Sequence, residues 1–224
     1  MLRPGAAGAG VRPQRQAAAQ LGRPGRGLQL ARQRNGIHVD GTGHVWVTGN
    51  GPEDGQIIKF TRDGRFVLQI GKVGPQTSSA DLTRLGQPAG LEVDVAAKEV
   101  FGADGYYSRR VIVFDSETGA YKRHWGAYGK RPSDDKTPKY DPAAPVSQQF
   151  ANPVHCAKVS RDGLVYVCDR QNDRIQVFKK DGSFVKEMFI EKQTLANGSV
   201  WDLEIWNDPA QTFLINADGA NNEV

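Results

Sequence analysis

Three kinds of side chain in this sequence can do chemistry at a fixed site: an imidazole, a pair of guanidinium groups and two thiols. His155 stands in Pro153-Val154-His155, at the start of a β-rich run. A neutral ring nitrogen there can ligate a metal or accept a proton. Arg110 closes the run Asp104-Gly105-Tyr106-Tyr107-Ser108-Arg109-Arg110. A guanidinium at that point can hold a carboxylate or stabilise an oxyanion. Both residues also have plain structural readings. His155 can be satisfied by local hydrogen bonds. Arg174 fills the Arg110 slot in a later copy of the same run, and a residue that recurs with a repeat serves the repeat. Asp104 and Asp169 are then its partners, or close their turns as Asx motifs. Cys156 and Cys168 form no paired zinc motif. The sequence carries no phosphate-binding glycine loop, G-x-S-x-G elbow, H-E-x-x-H helix or EF-hand loop.

These residues sit in a recurring element. Val165–Phe178, VYVCDRQNDRIQVF, has degenerate copies at Val45–Phe60, Val100–Phe114 and Phe213–Val224. Each is a β-rich run, an Asp or Asn, a polar turn and a second β-rich run. Asn50, Asp104, Asp169 and Asp218 share one slot, at gaps of 54, 65 and 49 residues, near the size of one propeller blade plus a variable loop. A shorter β-run precedes each copy, at Gly36–Asp40, Gly90–Asp94, His155–Ser160 and Trp201–Trp206. A fourth follows a second turn, at Arg65–Ile70, Ala120–Trp125 and Ser183–Ile190. Four antiparallel strands per unit make an all-β propeller a better reading than a β-sandwich. Polar Gln176 and Lys59 interrupt their apolar runs, but Ile112 does not. Strands buried on both faces are what blade-on-blade packing requires.

On Gly36-Ile37-His38-Val39-Asp40, Val45-Trp46-Val47, Ala103-Asp104-Gly105-Tyr106, Arg110-Val111, His124-Trp125-Gly126, Asn152-Pro153-Val154-His155 and Cys168–Gln176, the chain resembles the six-bladed β-propellers built from NHL repeats. Within them it resembles a bacterial group related to the peptidyl-α-hydroxyglycine α-amidating lyases. The resemblance covers roughly residues 35–224. It implies three and a half to four blades, near 35–71, 88–126, 152–190 and 199–224. A ring left open has two free sheet edges, so the chain is expected to be a fragment, marginal or aggregation-prone by itself, or else to complete its ring with another chain. The resemblance implies His155 as one of three zinc-binding histidines and Arg110 as the catalytic arginine, with zinc, and structural calcium, as cofactors. It places a second histidine where Asn35 stands and a tyrosine base in the turn Asp218–Asn222, which contains none.

Residues 1–34 hold seven Arg and no acid among mostly Ala, Gly, Pro and Gln. Such a segment is expected to be disordered. Removing its +7 from the formal +4 leaves about −3 on residues 35–224, which argues against a nucleic-acid-binding face. The tail has no apolar signal core, and no run approaches the roughly 18 apolar residues of a membrane span. Localisation stays open. If the turn Arg161-Asp162-Gly163 pairs Val159 with Leu164, Cys156 and Cys168 point to opposite faces and are buried free thiols. A slip of one residue reverses that. The connection Gly126–Phe150 carries four prolines and is too long for a blade connector, so it is expected to form a semi-rigid cover over one face. The functional expectation is an NHL-type scaffold that binds a protein, peptide or small ligand without catalysis; the alternative is a zinc-dependent amidating-type lyase.

Overall fold

The structure, a computed structural model, describes residues 30–76 and 78–224. The expected disordered tail lies almost wholly outside them. The ordered chain starts before the anticipated boundary at 34. Ala31 is buried, and the Arg32 and Gln33 amides donate to the two oxygens of Asp54 at 2.8 and 2.9 Å.

Fourteen strands form four antiparallel sheets among the described residues. The first sheet is β1 (Arg34–Val39), β2 (Val45–Gly49), β3 (Gln56–Phe60) and β4 (Phe66–Gly71). The second is β5 (Pro88–Asp94), β6 (Glu99–Asp104), β7 (Arg110–Asp115) and β8 (Tyr121–Trp125). The third is β9 (Val154–Val159), β10 (Leu164–Asp169), β11 (Arg174–Lys179) and β12 (Phe184–Phe189). The fourth holds β13 (Asp202–Ile205) and β14 (Leu214–Ala217). In each sheet the strands pair in sequence order, as in a meander, and the result is an incomplete, unclosed propeller-like arrangement. The first strands β1, β5, β9 and β13 lie side by side, so they form one inner wall.

The sheets adhere because their middle strands are apolar on both faces. On β7, Val111 and Val113 pack towards the third sheet with Val154, Val165 and Phe178, while Ile112 packs towards the first with Trp46 and Ile57. Each of these is at most 1% exposed. Burying a side chain of that size contributes about 1.5–3 kcal/mol, so the face-to-face contacts between sheets dominate the core. The apolar–polar alternation of a one-faced sheet is absent from β7 for that reason.

The cysteine expectation fails. Cys156 and Cys168 form a disulfide, with Cα atoms 4.9 Å apart. The β9–β10 turn is displaced by one residue from the anticipated register: Val159 faces Val165, not Leu164, because Ser160 and Leu164 close the turn. In that register Cys156 stands opposite Cys168, at the irregularity between Val167 and Asp169, and both sulfurs lie on the side facing the fourth sheet. Side chains alternate with a period of two, so the slip converts opposite faces into a shared one.

Candidate functional site

His155 is the second residue of β9, where the chain enters the inner wall. The preceding Asn152-Pro153 bond is cis. The Asn152 amide donates to the carbonyls of Gly105, Tyr107 and Ser108 at 2.7–3.1 Å, which pins the β6–β7 turn of the neighbouring sheet beside β9. Gly105 is packed so closely on the Val154 backbone that a Cβ would collide with it. That close approach brings Tyr106 to His155: the phenol oxygen lies 3.1 Å from Nε2, and the rings meet edge to face at 5.8 Å.

The other ring nitrogen of His155, Nδ1, is hydrogen-bonded to the Trp201 carbonyl. A carbonyl only accepts, so Nδ1 carries the hydrogen, and Nε2 presents its lone pair to Tyr106. Burial lowers the His155 pKa below its ordinary value, Arg170 lowers it further, and the bond to Trp201 opposes both. The ring is therefore neutral around pH 7. Trp201 is itself fixed by its indole N–H, which donates to the Gly198 carbonyl at 2.7 Å.

Arg170 completes the group. It starts the 3-10 turn Arg170–Asn172 between β10 and β11. Its guanidinium stacks 4.8 Å from the Trp201 ring and 6.0 Å from the Tyr106 ring. The residue is only 8% exposed, its Nε lacks a hydrogen-bond partner, and the groups acting on its charge are burial and the Tyr106 hydroxyl, with no carboxylate among them. A buried cation without an anion is costly, and it is a natural receptor for a carboxylate or an oxyanion.

Arg110 is placed differently. It is fully buried, with Nε on Asp104 at 2.8 Å, Nη1 on the Ser79 carbonyl at 2.6 Å and Nη2 on the Arg84 carbonyl at 3.2 Å. Arg174 repeats the arrangement: Nε on Asp169 at 2.7 Å, and its outer nitrogens on the carbonyls of Ser147 and Gln149. Each aspartate gives its second oxygen to the lead-in of its own sheet, Gly86 N–H or Ala151 N–H. Both arginines are thus tied to the aspartate of their own blade and not to a neighbour's. Asn35 points its amide at the Ala89 carbonyl, 2.8 Å away.

A three-histidine metal set containing His155 is not assembled among the described residues. Among the described residues the one cluster of three potential ligands is Cys156, Cys168 and Asp202, and its two sulfurs are bonded to each other, which removes the thiolates a metal needs. The residues present therefore do not fit the implied zinc site. Along the inner wall, β1, β5, β9 and β13 contribute His38, Glu92, Lys158 and Glu204. His38 Nδ1 lies 3.7 Å from Glu92, and Lys158 lies 3.5 Å from Glu204.

Sequence reasoning did not select Tyr106 and Arg170. Both were visible as members of the inter-strand turns that follow Asp104 and Asp169. The signal pointing to Arg170 is that it does not recur: the corresponding turn of the second sheet offers Gly105 there.

The rat peptidylglycine alpha-amidating monooxygenase is 28% identical over 158 residues, and peptidyl-glycine alpha-amidating monooxygenase B of Xenopus laevis is 30% identical over 155 residues. This chain is a distant homologue of the peptidyl-glycine α-amidating lyase-type proteins. Each alignment takes in 69% of the chain but only 14% and 16% of those relatives. A gluconolactonase from Xanthomonas campestris aligns over 86% of this chain and 59% of its own, at 16% identity and a TM-score of 0.49. No protein-family model matches.

Proposed function

We propose that the chain is a propeller scaffold of the NHL type, built on the six-bladed plan, that binds a small ligand or peptide end through a carboxylate at Arg170. The observation that carries this reading is the buried guanidinium without an acidic partner, flanked by Trp201 and Tyr106. The neutral His155–Tyr106 pair supplies a polar contact next to it. Titration calorimetry with a peptide ending in a free glycine carboxylate, against the same peptide amidated, tests it. The acid should bind at least tenfold more tightly, the usual scale of one charge-assisted contact, and Arg170→Ala should erase the difference. Equal binding of the two peptides would overturn the reading.

A second reading rests on homology to the amidating proteins. Tyr106 would pass its phenol proton to Nε2 of His155 as it takes the hydroxyl proton of a peptidyl-α-hydroxyglycine. The C–N bond would break, its electron pair leaving on the amide nitrogen, which is then protonated. Glyoxylate and the peptide amide would result, with Arg170 on the departing carboxylate. Arg110 and a zinc-bound His155 are the roles that the family pattern assigns here. Glyoxylate release that disappears in Tyr106→Phe and Arg170→Ala would favour this reading. Loss in Arg110→Met with the melting temperature unchanged would restore Arg110 as the catalytic arginine.

A further inference from the structure

Residues 136–141 and 144–149, with Asn172, Arg174, Phe189 and Lys192, line a cavity of about 310 Å³ under the long connection between β8 and β9. Its walls are largely apolar: Pro138, Pro145, Val146 and Phe189. Its charged lining is one-sided. Lys136, Lys139 and Lys192 all border it, and among the described residues none of the three ammonium groups is in a salt bridge. Lys192 sits over the Phe189 ring at 5.2 Å. Arg174 on the floor is already neutralised by Asp169 and Glu187. The one acid in the lining, Asp141, is held by the Ala143 N–H at 2.9 Å.

The segment is anchored from several sides, so the cavity is preformed. Tyr140 donates to the Lys192 carbonyl at 2.8 Å, Asp134 accepts from Ser78 and Ser79, and Arg174 holds Ser147 and Gln149. A volume near 300 Å³ with apolar walls and a few convergent charges is the usual make-up of a small-molecule site. Charge complementarity and wall chemistry together identify the occupant.

We propose that this cavity is a second binding site, separate from the Arg170 cluster, for a small amphipathic carboxylate: an apolar body against Pro138, Val146 and Phe189, and an acid group against Lys139 and Lys192. Inorganic phosphate would satisfy the lysines but leave the apolar walls uncovered. A neutral molecule would leave the lysines without an anion.

Titration calorimetry with 3-phenylpropionate tests this, with 3-phenylpropan-1-ol, acetate and inorganic phosphate as comparators. The acid should bind with roughly tenfold higher affinity than each comparator. The double substitution Lys139→Ala with Lys192→Ala should weaken it roughly tenfold, the scale of two partly exposed charge contacts. Val146→Asp, which adds an anion to the wall, should also weaken it. Arg170→Ala should leave this binding unchanged, which separates the result from the fate of the carboxylate site described above. The lysines are on the rim, so the double variant should keep the parental melting temperature. Equal affinity for acid and alcohol, equal affinity for phosphate, or indifference to the lysine pair would each overturn the proposal. Loss of binding in Arg170→Ala alone would assign the ligand to the other site and overturn it as well.

Discussion

The guanidinium of Arg174 reaches Asp169 on its own sheet and Tyr128, Ser147 and Gln149 on the long connection. It is therefore both a strut of the blade and the anchor of the cover. Removing one partner of a buried ion pair costs about 3–5 kcal/mol, because the charge left behind is uncompensated. Arg174→Met should show that loss in urea unfolding, and should open the connection to trypsin between Lys130 and Lys139. Arg110→Met should cost a similar amount, since Asp104 is equally buried. Its cleavage should appear instead near Arg84, where Arg110 holds the carbonyl. If both variants nick the same segment, the local anchoring argued from these bonds is wrong. The recurrence of Arg110 as Arg174 was legible in the sequence and pointed to this structural role. Tyr106 reaches His155 by the packing of one sheet's turn on the next sheet's first strand, and Arg170, in a turn of His155's own sheet, meets Tyr106 there; no periodicity in the sequence records these contacts.

At the scale of the element, the inner wall places charges where water is scarce. Glu92 on β5 has its pKa raised to about 7, first by burial, then by Glu204, Asp202 and Asp94, with Lys158 pulling the other way. A carboxyl with a folded-state pKa above its unfolded value binds more protons when folded. Its contribution is thus fully present below about pH 4.5 and lost as pH rises through 7. Stability should fall across that window by an amount on the order of 2–3 kcal/mol, and Glu92→Gln should flatten the slope. Asp40 gives the opposite case. Burial would raise its pKa, but bonds from Thr42, Trp46 and His44 outweigh it and hold it at about 2. Its contribution is present above the unfolded value of 3.8 and disappears as pH falls towards 2. Asp40→Asn should remove about 2 kcal/mol of stability at pH 6 and little at pH 2. Melting curves taken across pH for the two variants decide both. The four-strand units themselves were legible in the sequence, and β4, β8 and β12 begin one residue later than their runs suggested. Turn signals and β-branched runs are local properties. The pKa of Glu92 is not, because it depends on β13, more than a hundred residues away in the chain.

For the whole molecule, the disulfide shows how far a one-residue error propagates. The Asp-Gly turn after Ser160 was read correctly as a turn, but its closing pair was displaced by one, and that alone reversed the predicted state of both cysteines. Strand alternation has no tolerance for such a shift, whereas the sheet count is insensitive to it. The bridge crosses from β9 to β10 on the side packed against Val200 and Leu203 of the fourth sheet, so it stiffens the sheet that carries His155 and Arg170. Cross-linking residues 12 apart in sequence constrains the unfolded chain by about 3 kcal/mol. In a domain of this size that corresponds to a melting shift on the order of 6–12 °C. Protein folded in a reducing compartment should therefore be isolated as a dithiol that melts lower by that amount, and oxidation should restore the shift with the loss of two hydrogens by mass spectrometry. Cys156→Ala with Cys168→Ala should melt like the dithiol and no longer respond to oxidant. A double variant as stable as the oxidised protein would mean that packing of the fourth sheet, and not the bridge, holds these strands. In that case carboxylate binding at Arg170 should also be unaffected by reduction. If the bridge does hold them, reduction should weaken carboxylate binding along with stability, because Arg170 follows Cys168 by only two residues at the end of β10.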